Sequence, residues 1–148
     1  MRIYIAASWK HQHAVEMLTA FLREAGHTVL SFVENNHGEQ SAHLALRPDG
    51  SEIPFEEWVW SDRGLRSFNY DTDGARSADL VVYVGPSGMD AAAEVGIAWA
   101  NNRPVLGLAG KGEQFGLMRR MIDWHSDYRS LLSTVESHAK RLAGRSAA

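Results

Sequence analysis

A chain of 148 residues with a formal net charge of −3 and no lysine or arginine run is sized for one domain and offers no nucleic-acid-binding surface. The absence of cysteine excludes disulfides, thiolate nucleophiles and thiolate metal sites. No apolar run approaches the length that crosses a bilayer, and the N-terminus enters a strand pattern directly. The expectation is therefore a cytoplasmic protein without a signal peptide or a membrane partner.

Residues 2–7 form a short apolar run that reads as the first buried strand, with Ser8-Trp9-Lys10 at the mouth of a helix. That helix is expected over residues 10–25, with Ala14, Leu18, Phe21 and Leu22 as its apolar stripe and Gly26 as its stop. Residues 28–33 follow as a second strand. Residues 34–54 are polar, with Asn, His, Gly, Ser and Pro interspersed, and read as an irregular insertion.

A helix carrying Trp58, Trp60 and Leu65 is expected within residues 55–76, ending in Phe68-Asn69-Tyr70-Asp71-Thr72-Asp73-Gly74. The ordinary reading of Asp71-Thr72-Asp73-Gly74 is a turn or a helix cap. Residues 79–84 are β-branched and apolar, Gly85-Pro86-Ser87-Gly88 breaks the run, and residues 89–101 carry a helical pattern before a fourth strand at residues 105–108.

Residues 107–116 form a glycine-rich loop, with a short helical stretch over 115–121 and a fifth strand at 121–123. An amphipathic helix over 128–142 sets Leu131, Leu132, Val135 and His138 on one side, and residues 145–148 are expected to fray. Strands alternating with helices imply one α/β domain over residues 1–148, a doubly wound, Rossmann- or flavodoxin-like parallel sheet of about five strands with helices on both faces.

In such a sheet ligands sit beyond the carboxyl ends of the strands, where a turn meets a helix N-terminus. Asp90 and Glu94 lie there, four residues apart and so on one helix face. For Asp90 the structural explanation is a capping box with Ser87, helped by the helix dipole. Glu94 is a turn further in, between Ala91-Ala92-Ala93 and Val95-Gly96, whose small side chains let the helix approach the sheet and leave room for a ligand. Neutral, it would serve as an acid; ionised, as a nucleophile or base.

The remaining motifs carry less. His11 and His13, two apart, point in different directions on a helix and do not make a metal site. His125, near a strand end, is expected in a capping loop with Ser126 or Asp127 before the last helix, with lining of the pocket as the other reading. Trp58 and Trp60 are expected in the core or at a subunit interface, with stacking on a nucleobase as the other possibility. Gly110-Lys111-Gly112 lacks the spacing of a P-loop.

Four segments together carry a resemblance to a known family: Ile3-Tyr4-Ile5-Ala6-Ala7-Ser8-Trp9, Phe68 to Gly74, Ser77-Ala78-Asp79-Leu80-Val81-Val82, and Ala93-Glu94-Val95-Gly96-Ile97-Ala98 with Arg103-Pro104-Val105. In order and spacing the chain resembles the nucleoside 2-deoxyribosyltransferases and the related nucleotide N-glycosidases over most of residues 1–108. The resemblance implies that Glu94 attacks the anomeric carbon, that Asp71 (with Asp73 as the near alternative) serves the leaving base as acid, and that Tyr4 orients the glutamate. Such chemistry needs a carboxylate to capture oxocarbenium character and a second acid to protonate the departing base.

The position six residues before the glutamate, an aspartate in the transferases and often a serine in the monophosphate hydrolases, is Gly88 here. Sugar recognition is then built differently, with Ser87 and Gly88 placed to hold a 5′-phosphate by hydroxyl and backbone N–H. Ser8, Trp9, Asp73, Ser87, Gly88 and Asp90 complete the candidate substrate-binding residues. No match to the family's C-terminal asparagine, which enters the neighbouring subunit's site, occurs in residues 145–148.

The resemblance also implies a small-molecule nucleoside or nucleotide as partner and a homo-oligomer; neither a cofactor nor a metal is expected. An NAD-type glycohydrolase and a non-catalytic nucleotide-binding module are the alternatives.

Overall fold

The structure, a computed structural model, describes residues 1–35, 49–51 and 53–146. Most of the 34–54 insertion therefore lies outside the described residues.

The described elements run β1 (Arg2–Ala7), a 3-10 turn (Trp9–His11), α1 (Gln12–Glu24), β2 (Thr28–Ser31), α2 (Phe32–Asn35), α3 (Phe55–Val59) and α4 (Asp62–Ser77). There follow β3 (Leu80–Val84), α5 (Met89–Ala100), β4 (Val105–Leu108), a second 3-10 turn (Leu117–Met121), β5 (Asp123–His125) and α6 (Tyr128–Ser146). All strand pairings are parallel, in the order β2-β1-β3-β4-β5. This is the doubly wound, flavodoxin-like arrangement, whose strand order reverses between β1 and β3.

Alternation along the strands divides the core in two. Ile3, Ile5, Leu80, Val82 and Leu106 face Val15, Leu18 and Leu22 of α1 and Leu131 and Val135 of α6. On the opposite face Tyr4, Ala6, Val81, Tyr83 and Val105 meet Ala75 of α4 and Ala91, Val95 and Ala98 of α5. Every residue of β3 is buried, as a central strand covered on both faces requires. The alanines of α4 and α5 keep that second layer thin, which draws their polar side chains close to the sheet.

Several expected boundaries shift. The stripe of α1 is Val15, Leu18, Thr19 and Leu22, while Phe21 is 47% exposed. The strand expected over 28–33 ends at Ser31, because Phe32–Asn35 turns into helix. Gly26 does close α1, at φ +86°. Asp71-Thr72-Asp73 is neither turn nor cap: it lies inside α4, which continues to Ser77. The fifth strand is Asp123–His125, two residues later than expected, since Ile122 is a buried knob against Gly107 rather than the strand's centre. The last helix, α6, extends to Ser146, and residues 147–148 of the tail expected to fray lie outside the described residues. No helix among the described residues is long and apolar enough to cross a membrane.

Candidate active site

At the β1/β3 reversal those two strands meet α4 and α5. Tyr4 of β1 is completely buried on the α4/α5 face, and its hydroxyl donates to Asp71 Oδ1 of α4 at 3.1 Å. Gly74, one turn after Asp71, explains how α4 comes so near. A Cβ there would lie 2.5 Å from Tyr4 Cδ2, so only glycine lets the helix rest on the ring. The Phe68–Gly74 motif is thus a helix–ring contact that sets one carboxylate beside the tyrosine hydroxyl.

Glu94 reaches the same place from α5. It is 9% exposed, interacts with the Tyr4 hydroxyl, and its Oε2 has no hydrogen-bond partner among the described residues. Burial, reinforced by the negative charge of Asp71, pushes its carboxyl up to about 9. Burial also pushes Asp71 up to about 6, against the opposing effect of the Tyr4 hydrogen bond. Tyr4 itself is raised well above its ordinary value by burial and by both carboxylates, and so stays a neutral donor. Two coupled acids between these values hold one proton at neutral pH. Asp90, one turn before Glu94, adds its negative charge to both.

The turn between β3 and α5 is fastened to the end of β1. The Ser8 N–H donates to Ser87 Oγ at 2.8 Å, and Ser87 Oγ donates to the Val84 carbonyl at 2.7 Å. Ser87 and Asp90 therefore do not form the expected capping box: the N-cap of α5 is Gly88, with no side-chain cap. A Cβ on Gly88 would meet nothing within 4 Å, so the turn is open at this position. Gly96 likewise has open space where a Cβ would project, so the approach of α5 rests on Ala91 and Ala98.

The other expected site residues fall elsewhere. Asp73 is turned outwards, its carboxylate pairing with Arg76 at 2.6 Å. Trp9 packs edge-on against Phe32 at 4.9 Å, with the core layer opposite Tyr4. Trp58 stacks on Phe55, and Trp60 is 88% exposed, so neither joins the core. His125 accompanies the start of α6, where Nδ1 meets Ser130 Oγ at 2.6 Å and Asp127 accepts the Ser130 N–H. Among the described residues no group of three His, Asp or Glu side chains is arranged to hold a metal.

Two contacts at the turn had no sequence signal. His11, considered only as a metal ligand, donates from Nε2 to the Pro86 carbonyl at 2.7 Å. Tyr83 accepts the Ser87 N–H at 3.0 Å. His11 and Pro86 are brought together only by the fold, whereas Tyr83 and Ser87 are four residues apart across the β3–α5 turn.

Two enzymes of known structure share this fold. The 2-deoxyribosyltransferase of the psychrotolerant bacterium Bacillus psychrosaccharolyticus superimposes with a TM-score of 0.65 at 23% identity, over 88% of this chain and 90% of the other. The Clostridium botulinum CMP N-glycosidase BcmB gives 0.57 at 16% identity, over 92% and 99%. A conserved protein from Enterococcus faecalis V583 gives 0.50 at 19% identity, over 81% and 70%. No family model matches the sequence, and no curated protein does. At these identities the likeness establishes a common architecture, and function has to be argued from the site.

Proposed function

We propose that the protein cleaves the N-glycosidic bond of a nucleoside or nucleoside 5′-monophosphate, with Glu94 as nucleophile. The observation that carries this reading is the buried pair Glu94 and Asp71, linked through Tyr4 at the strand-order reversal. The two enzymes with this fold, a deoxyribosyltransferase and a CMP N-glycosidase, agree with that substrate class.

The single shared proton does the work of both steps. In the resting pair, burial favours it on Glu94. Positive charge developing on the sugar favours ionised Glu94, and the proton passes to Asp71 beside the Tyr4 hydroxyl. Glu94 then bonds to the anomeric carbon as the bond to the base breaks, and Asp71 gives its proton to the departing base nitrogen. Water or a second base then attacks the anomeric carbon, the Glu94–sugar bond breaks, and the attacking group's proton passes to the ionised Asp71, which restores the pair with its single proton. The open first turn of α5 at Gly88 receives the sugar's 5′ end. Ser87, whose hydroxyl is committed to Val84 and Ser8 and whose N–H is committed to Tyr83, holds that turn in place and does not donate to a 5′-phosphate as the sequence suggested. Asp90 lies on the same helix face and takes a sugar hydroxyl.

The test is release of free base, followed by chromatography, from a panel of nucleosides, nucleoside 5′-monophosphates and NAD. The mechanism needs one proton on the pair, so kcat/KM is expected to be bell-shaped with limbs near 6 and 9. Best turnover with NAD would move the assignment to a glycohydrolase of that dinucleotide. Binding of nucleotides without release of base from any of them would make the chain a binding module.

A further inference from the structure

Next to the candidate site is a buried ionic group that the proposed chemistry does not use. Glu113, in the β4–β5 connection, has a side chain only 2% exposed and pairs with Arg119 at 3.0 Å. Its carboxylate accepts from the Tyr83 hydroxyl at 3.1 Å, and Arg119 Nη2 donates to the same hydroxyl oxygen at 3.2 Å. The guanidinium also lies over the Tyr83 ring, 5.0 Å from its centre. A buried carboxylate costs stability unless it is paired and hydrogen-bonded, and here both conditions are met around one hydroxyl.

That hydroxyl is the acceptor for the Ser87 N–H. Ser87 in turn links to Ser8 and to the Val84 carbonyl. An unbroken chain therefore runs from Arg119 and Glu113 through Tyr83 to the turn that opens α5. The packing is as close as the bonding: a Cβ on Gly85 would lie 1.9 Å from Glu113 Oε2, and one on Gly110 would lie 2.3 Å from the Gly85 carbonyl oxygen. The β4–β5 connection is seated directly on the β3–α5 turn. Tyr83 pairs in register with Ala6, two residues beyond Tyr4 on the same face of β1. The chain thus ends beside the carboxylate pair without touching it.

We infer that Glu113, clamped by Arg119, is a positioning residue that acts through the Tyr83 hydroxyl to hold Ser87 and the first turn of α5 in place for the sugar end of the substrate. Its bearing on turnover rests on the N-glycosidic reading; its hold on the turn does not. Arg119 holds the Glu113 side chain in place, Glu113 accepts the Tyr83 proton and so turns it away from the turn, and a lone pair of the hydroxyl is left for the Ser87 N–H.

Two measurements on Tyr83→Phe, Glu113→Ala and Glu113→Gln test it. Hydrogen exchange at the Ser87 amide, read by NMR, is expected to quicken about tenfold in Tyr83→Phe and Glu113→Ala. Amides of β1 should stay protected, and Glu113→Gln, which keeps an acceptor for Tyr83, should recover much of the protection. In turnover, KM is expected to rise about tenfold with kcat within about threefold, and combining Tyr83→Phe with Glu113→Ala should add little to either alone. Unchanged Ser87 exchange in both variants would overturn the inference, as would additive effects or a fall in kcat matched by a general loss of protection. Absence of base release from the unmutated protein would end the N-glycosidic reading, while Ser87 exchange would still decide the positioning role.

Discussion

Replacing Glu94 by glutamine is expected to lower base release at least about 10³-fold, because among the described residues no other buried carboxylate of α5 could take over the proposed capture of the anomeric carbon. The substitution preserves shape and leaves an amide that can bond to Asp71 or Tyr4, so substrate binding should persist. Asp71 of the neighbouring helix, which accepts from Tyr4, cannot take over without losing the role of acid proposed for it. Asp90, a turn earlier on α5, is exposed. Loss of kcat with KM within a few-fold is the pattern expected for a group that acts on the reacting atom. A Glu94→Gln protein that still releases base at a comparable rate would remove Glu94 from the chemistry.

The same substitution is expected to make the protein more stable, by an amount that grows with pH. Burial raises the Glu94 carboxyl from the ordinary 4.5 to about 9, so between those values the folded chain holds a proton that the unfolded chain has released. Stability contributed by this group is therefore fully present below about 4.5 and is lost progressively as pH climbs towards 9. At pH 7 the burden is on the order of 3 kcal/mol, and a neutral glutamine does not carry it. The Tm of Glu94→Gln should match that of the unmutated protein near pH 4.5 and exceed it by roughly 5–10 °C at pH 7. A Tm difference independent of pH, or a less stable variant, would mean that Glu94 is not held protonated by burial. Opposite effects of one substitution on rate and stability are characteristic of a functional group kept in an unfavourable place.

Much of this architecture was legible because the strands advertise themselves. Arg2–Ala7 and Val105–Leu108 have the bounds their apolar runs imply, and β3 with α5 lies within one residue of expectation at each end. Glu94 stood out through its small neighbours, and the structure brings it together with Tyr4 and Asp71.

The misreadings have common physical causes. Asp71-Thr72-Asp73-Gly74 has the composition of a turn, but Gly74 is there so that α4 can press on Tyr4, a tertiary reason that local composition does not reveal. Ser87 followed by Asp90 looks like a helix cap until the Ser87 hydroxyl is committed to Val84 and Ser8. The edge strand β5 is only three residues long, and its neighbour Ile122 supplied the apolar signal. Glu113 and Arg119 were part of an unremarked stretch around a glycine-rich loop, since nothing within that segment points to Tyr83 thirty residues earlier.

The proposed reaction passes through a covalent bond between Glu94 and the sugar. Its most direct measurement is the mass of the protein quenched during turnover of its best substrate, followed by fragmentation of the peptide that contains Glu94. The expected result is a species heavier by one pentosyl group, or by its phosphate if a monophosphate is the substrate, located on Glu94 and missing from Glu94→Gln. Brisk base release with the adduct on another residue, or at a rate unaffected by Glu94→Gln, would contradict it.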